Sequence, residues 1–159
     1  MTNTMKKTLT ILLAMLLGMQ LGLAQDITAE GIKFRNSMMQ YLREEGYAPK
    51  IDTDESVMFK KEGKQYWFTI EESGPFYIEL HVSGFDMDNV DLTTIMEACN
   101  VANAQTRCGK ACVKSSSVIF TVEVYVKDAQ EFQAIFNRSM SALATLKDKV
   151  KEYYNDHTD

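Results

Sequence analysis

The chain has 159 residues, with 17 Lys and Arg against 22 Asp and Glu, and a formal net charge of −5 at neutral pH. That length suits one domain with a sizeable core, and so acidic a chain has no broad positive field with which to hold a nucleic-acid backbone or an anionic membrane. Two prolines and eight glycines are too few for a linker-rich or low-complexity chain, and no internal repeat is present.

The N-terminus reads as a leader. Lys6 and Lys7 precede an apolar run from Leu9 to Leu17, and Gly22-Leu23-Ala24 supplies small residues for a signal-peptidase site before Gln25. Leu9 to Leu23 falls short of the ~20 residues needed to span a bilayer, and no cysteine stands at the cleavage site to take a lipid. Residues 1–24 are therefore expected to be a cleaved signal peptide and 25–159 a single domain. The product would be exported, periplasmic or extracellular, with no membrane span after processing.

A first helix is predicted from Ile27 to Glu45, with Ile27, Gly31, Phe34, Met38 and Leu42 on one stripe. Gly46, Tyr47 and Pro49 form its stop signal. Three strands follow. Val57–Lys60 and Tyr66–Ile70 flank the glycine-containing turn Lys61-Glu62-Gly63-Lys64, and Ser73-Gly74-Pro75 precedes Phe76–Val82. Tyr66, Phe68 and Ile70 share a face, as do Phe76, Ile78, Leu80 and Val82; Trp67, Thr69, Tyr77, Glu79 and His81 take the other.

A second helix is predicted over Asp91–Gln105, with Leu92, Ile95, Met96, Cys99 and Ala102 as its apolar face. Strands Arg107–Val113 and Val118–Lys127 are joined at Ser115-Ser116-Ser117. Asp128 and Glu131 form a capping box for a last helix, whose stripe runs from Phe132 to Tyr153. The order is α-β-β-β-α-β-β-α. Short turns make neighbouring strands antiparallel, so the expected fold is α+β: one five-stranded, mainly antiparallel sheet with helices on one face.

Tyr41-Leu42-Arg43-Glu44-Glu45-Gly46-Tyr47, the Phe59-Lys60-Lys61-Glu62-Gly63-Lys64 hairpin, Asn100-Val101-Ala102-Asn103 and Glu131-Phe132 resemble the YbjN-like family. The resemblance extends over nearly all of residues 27–154. It implies a fold similar to type III secretion chaperones, and its motifs (a helix stop, a turn and a helix cap) bring no active site with them. The leader departs from the family's usual pattern.

Cys99, Cys108 and Cys112 are an odd number in a compartment that permits disulfides. If Val113 pairs with Val118 toward the core, Cys108 and Cys112 point the opposite way with Lys110. Four strand residues span about 13 Å, beyond the ~7 Å limit for a bridge. Cys99 belongs under the second helix. No intramolecular disulfide is expected; an inter-chain bond through Cys108 or Cys112 stays open. Asp86-Met87-Asp88-Asn89-Val90-Asp91 with Glu97 faintly resembles a calcium loop, but Val90 brings no side-chain oxygen and Asp91 stands where glycine is required. Helix capping is the better reading. No metal, cofactor or catalytic residue is assigned.

What remains is the outer face. Trp67, Tyr77, Ile119 and Tyr125 project there among Thr69, Glu79, His81, Thr121 and Glu123, and aromatic groups on a polar face suit a protein or peptide interface. Trp67, Tyr77, His81, Ile119 and Tyr125 are the expected partner-binding residues of a non-enzymatic binding or assembly module, expected as a homodimer. The alternative is a small envelope hydrolase or thiol enzyme using His81 or Cys108/Cys112. Terminal segments folded over this face would instead bury it within the monomer. The purified native protein is expected to begin at Gln25. Intact mass decides it, and a mass retaining residues 1–24 would remove the case for export.

Overall fold

A computed structural model describes residues 27–72, 75–86, 90–114 and 117–158. The expected leader, with its junction at Ala24 and Gln25, lies outside the described residues. So do Ser73-Gly74 and Ser115-Ser116 of the expected turns, and Met87–Asn89 of the calcium-loop-like stretch. Three helices and six strands are described: α1 (Ala29–Glu44), β1 (Lys50–Ile51), β2 (Ser56–Lys61), β3 (Lys64–Glu72), β4 (Phe76–Asp86), α2 (Leu92–Gln105), β5 (Gly109–Lys114), β6 (Ser117–Val126) and α3 (Ala129–His157). The class and order match expectation, but the sheet has six strands, not five. The extra strand, β1, is two residues long and pairs Lys50 with Met58 and Ile51 with Val57.

The strands lie in the order β1-β2-β3-β4-β6-β5, antiparallel throughout. The tight turn between β2 and β3 has Glu62 at φ 50° and Gly63 at φ 76°, the two left-handed positions of a type I′ turn, whose twist suits a hairpin. α1 ends as expected. Gly46, at φ 85°, donates its N–H to Arg43 O at 3.0 Å, and Tyr47 donates to Leu42 O at 2.8 Å. This is a Schellman closure, and it brings the Tyr47 ring to 5.5 Å from Phe59 and 6.2 Å from Phe136.

Alternation divides the sheet into two faces. Val57, Phe59, Phe68, Ile70, Ile78, Leu80, Val82, Phe120 and Val122 are buried on the inner face. They share one core with Phe34, Met38 and Leu42 of α1, Ile95 and Ala98 of α2, and Phe132, Phe136 and Leu143 of α3. The second helix departs from its expected stripe. Leu92 and Met96 are 53% and 56% exposed, whereas Ile95, Ala98, Cys99 and Ala102 are buried. Small side chains let α2 sit close to α3 and β5, turning the two longer ones outward. Asp91 caps this helix, accepting from Thr94 N–H at 2.7 Å; the Thr94 hydroxyl first, and this N–H after it, hold its carboxyl below the usual range. Asp128 caps α3 by accepting from Glu131 N–H at 2.9 Å. The return bond of the expected box is displaced by one residue: Glu131 accepts from Lys127 N–H at 2.7 Å, not from Asp128.

Both sheet edges are blunted. β1 is too short to template another strand. On β5, the Asn103 side chain accepts from Ala111 N–H at 2.7 Å and donates to Ala111 O at 3.0 Å, occupying both outward groups of the residue in mid-strand. Within the core, Gly84 makes room for the Phe120 ring: a Cβ there would fall 2.0 Å from Phe120 Cε2. Gly84→Ala should therefore destabilise by about 1–3 kcal/mol through overpacking, and Phe120→Ala by about 3–5 kcal/mol through a cavity. Denaturant unfolding measures both, and a neutral Gly84→Ala would show that the ring is not seated against β4.

Candidate functional site

The five expected partner-binding residues share the outer face, as their alternation implies, but four of them form two aromatic pairs and Ile119 stands apart. β4 pairs with β3 so that Trp67 lies opposite His81, and with β6 so that His81 lies opposite Thr121. The Trp67 and His81 rings stack at 5.3 Å and 19°. Four residues back along β4, Tyr77 lies opposite Tyr125, their rings 5.2 Å apart and tilted by 56°. Tyr125 is 67% exposed; Trp67 and Tyr77 are half-buried. Ile119, half-buried, pairs with Ser83 and Cys112. It lies beyond Thr121, apart from the tyrosines.

Between the clusters lies a polar row in which Thr69, Glu79 and Glu123 are successive cross-strand neighbours. Glu123 is well satisfied. It pairs with the Lys110 ammonium, accepts from Thr121 Oγ1 at 3.2 Å and bonds the Tyr77 hydroxyl. The Lys110 bond leads in holding its carboxyl below the usual range; reciprocally, Lys110 titrates higher. Burial, with the Glu123 bond behind it, pushes the Tyr77 phenol up to about 12. Alternation alone does not expose this Lys110–Glu123 link, because it depends on the β5–β6 register, which pairs Lys110 with Thr121.

His81 is the other polar centre. Its Nδ1 stands 3.1 Å from Glu79 Oε1, yet the atom is buried without a properly directed hydrogen bond. Desolvation outweighs the nearby carboxylate and lowers the ring pKa below 6.5. Across β6 its row continues to Thr121 and Lys110, not to a cysteine. Cys112 stands one row along, opposite Ile119, and Cys108 precedes β5, outside the strand in which it was expected. All three cysteines are free, and Cys99 alone is buried; desolvation raises its thiol to about 11. No cysteine is therefore aligned with His81 across the sheet, and the hydroxyl that faces it, Thr121 Oγ1, donates to Glu123 and to Lys110 O instead of to the ring.

The His81 shift has a definite pH consequence. The unfolded chain, titrating near 6.5, binds the proton more readily than the folded one. The stabilisation is thus full above about pH 6.5 and is lost as pH falls from there through the folded value. NMR titration of the ring should place its pKa below 6.5; a value above that would mean that Glu79, not burial, controls the ring.

The sequence matches the YbjN family, described as "Putative bacterial sensory transduction regulator", over residues 35–150. No curated protein gives a significant match. Among solved structures, the chain is similar to one titled "Crystal structure of YbjN, a putative transcription regulator from E. coli", at TM-score 0.52 and 8% identity. The match covers 74% of this chain and 92% of that one. So low an identity speaks to the fold alone. The family match spans most of the chain and includes every strand from β2 to β6: the protein belongs to the YbjN family.

Proposed function

We propose that this YbjN-family protein is an exported, non-enzymatic module that binds a protein or peptide partner, or a second copy of itself, through the outer face of its sheet. The observation that carries this is the division of labour between the two faces. The helices complete the core on the inner face, while Trp67, His81, Tyr77 and Tyr125 are gathered in pairs on the other. Blunted edges argue against strand addition, which leaves the face as the larger surface for a partner. The regulator named in the family's description is compatible with a binding role, and the expected leader would place that role outside the cytoplasm.

The enzyme alternative draws support from the His81–Glu79 pair alone, and the hydroxyl opposite it, Thr121, is bonded to Glu123 and not to the imidazole that would have to activate it. Among the described residues no helix is long and apolar enough to cross a membrane. Replacing Trp67 and Tyr125 together by serine should abolish self-association or partner capture while the protein stays folded. The exposed Tyr125 site should contribute at most about 0.5 kcal/mol to stability. Light scattering with thermal melts reads both. Unchanged association in a folded double variant would contradict the proposal, as would unfolding as severe as that of Phe120→Ala.

A further inference from the structure

We infer that the outer face recognises an arginine side chain of its partner, the guanidinium held by Glu79 between the Trp67–His81 stack and the Tyr77–Tyr125 pair. This rests on the reading of that face as the binding surface, and it names the chemistry the surface selects.

The charges of the central row do not cancel. Glu79 and Glu123 are direct cross-strand neighbours, an arrangement that repels unless cations intervene. Glu123 has one in Lys110. Glu79, whose side chain is 36% exposed, has His81 beside it, and burial keeps that ring neutral at neutral pH. Lys114 also acts on the ring, lowering it, and Asp52 opposes this less strongly. The Lys110–Glu123 pair shows how this face accommodates a cation; Glu79 feels the same ammonium only at longer range and makes no close ion pair with it.

The aromatic rows define which cation fits. Each lies one same-face step from Glu79, about 7 Å along the strand, so a group reaching the carboxylate passes within range of rings on both sides. A guanidinium is flat, stacks on aromatic faces and meets a carboxylate through two parallel hydrogen bonds. An ammonium is a more strongly hydrated point charge and gains less from the rings. Arginine is therefore preferred over lysine.

The single tryptophan of the chain is Trp67, so its fluorescence reports on this site alone. The full chain is titrated at low salt with a short arginine-rich peptide and with lysine-rich and glutamate-rich peptides of equal length. The arginine peptide should shift the emission saturably, the lysine peptide should bind more weakly, and the glutamate peptide should have no effect. Glu79→Gln should weaken arginine-peptide binding roughly tenfold, as expected for loss of a charged hydrogen bond. Glu97→Gln, on the exposed side of α2, should leave it unchanged. Glu79→Asp, which keeps the charge but withdraws it, should weaken binding several-fold and serves if the glutamine variant does not fold. Equal binding by Glu79→Gln and the parent would overturn the inference, as would equal weakening by Glu97→Gln. If the Trp67/Tyr125 double variant loses association while arginine binding is indifferent to Glu79, the interface stands and its arginine selectivity falls; if that variant also associates normally, both fall.

Discussion

The register of β4 between β3 and β6 is the constraint on which both faces depend. One set of backbone pairings places Phe68, Leu80 and Val122 in a row on the inner side, and Trp67, His81 and Thr121 in the adjacent row on the outer side. Side chains alternate with period two, so a slip of β4 by one residue would turn Ile78, Leu80 and Val82 outward and bury His81 and Glu79. The inner row resists that slip because the fully buried Phe132 and Phe136 of α3 belong to the same core. The geometry of the candidate site is thus a by-product of core packing. The Trp67–His81 stack and the Tyr77–Tyr125 pair are held in place by what lies beneath them, without needing a partner to order them.

How much of this was legible in the sequence follows from where periodicity exists. β3, β4 and β6 each bury one face, so their alternation was plain and the parity of all five expected surface residues could be read. β1 offers two residues, too few for any period, and exists only because Met58 and Val57 present it with a partner strand. In α2, Leu92 and Met96 fit a helical stripe as well as Ala98 does, and only the close approach of α2 to α3 and β5 decides which stripe is buried. The clusters themselves were hidden for a topological reason. β6 lies beside β4 although α2 and β5 intervene in the chain, so nothing local to Tyr77 indicates that Tyr125 is its neighbour. The Lys110–Glu123 pair was missed for a different reason: the β5–β6 register with Val113 opposite Val118 was readable, but it sets Lys110 opposite Thr121, and the contact with Glu123 is diagonal, made by the reach of the lysine side chain.

On the proposed reading, the site's chemistry is that of recognition more than turnover. A hydrolase needs a nucleophile, a base and a concave place to hold the reacting atom. Here the histidine is kept neutral by burial, its row continues to a threonine and a lysine, and the one buried thiol is raised away from reactivity. Paired rings, a satisfied ionic link and a carboxylate with no close ion pair of its own on a sheet surface are instead the means by which an interface combines area with selectivity.

The most direct test of the central claim, that the outer face and not the helical side meets the partner, is site-specific photo-crosslinking in the producing cell. A photoreactive side chain is placed at Tyr125 in one variant and at the exposed Met96 of α2 in another. The account predicts a discrete adduct from position 125, either a dimer or a complex with another protein, and none from position 96. A discrete adduct from position 96 with none from 125 would assign the interface to the helical side and contradict it.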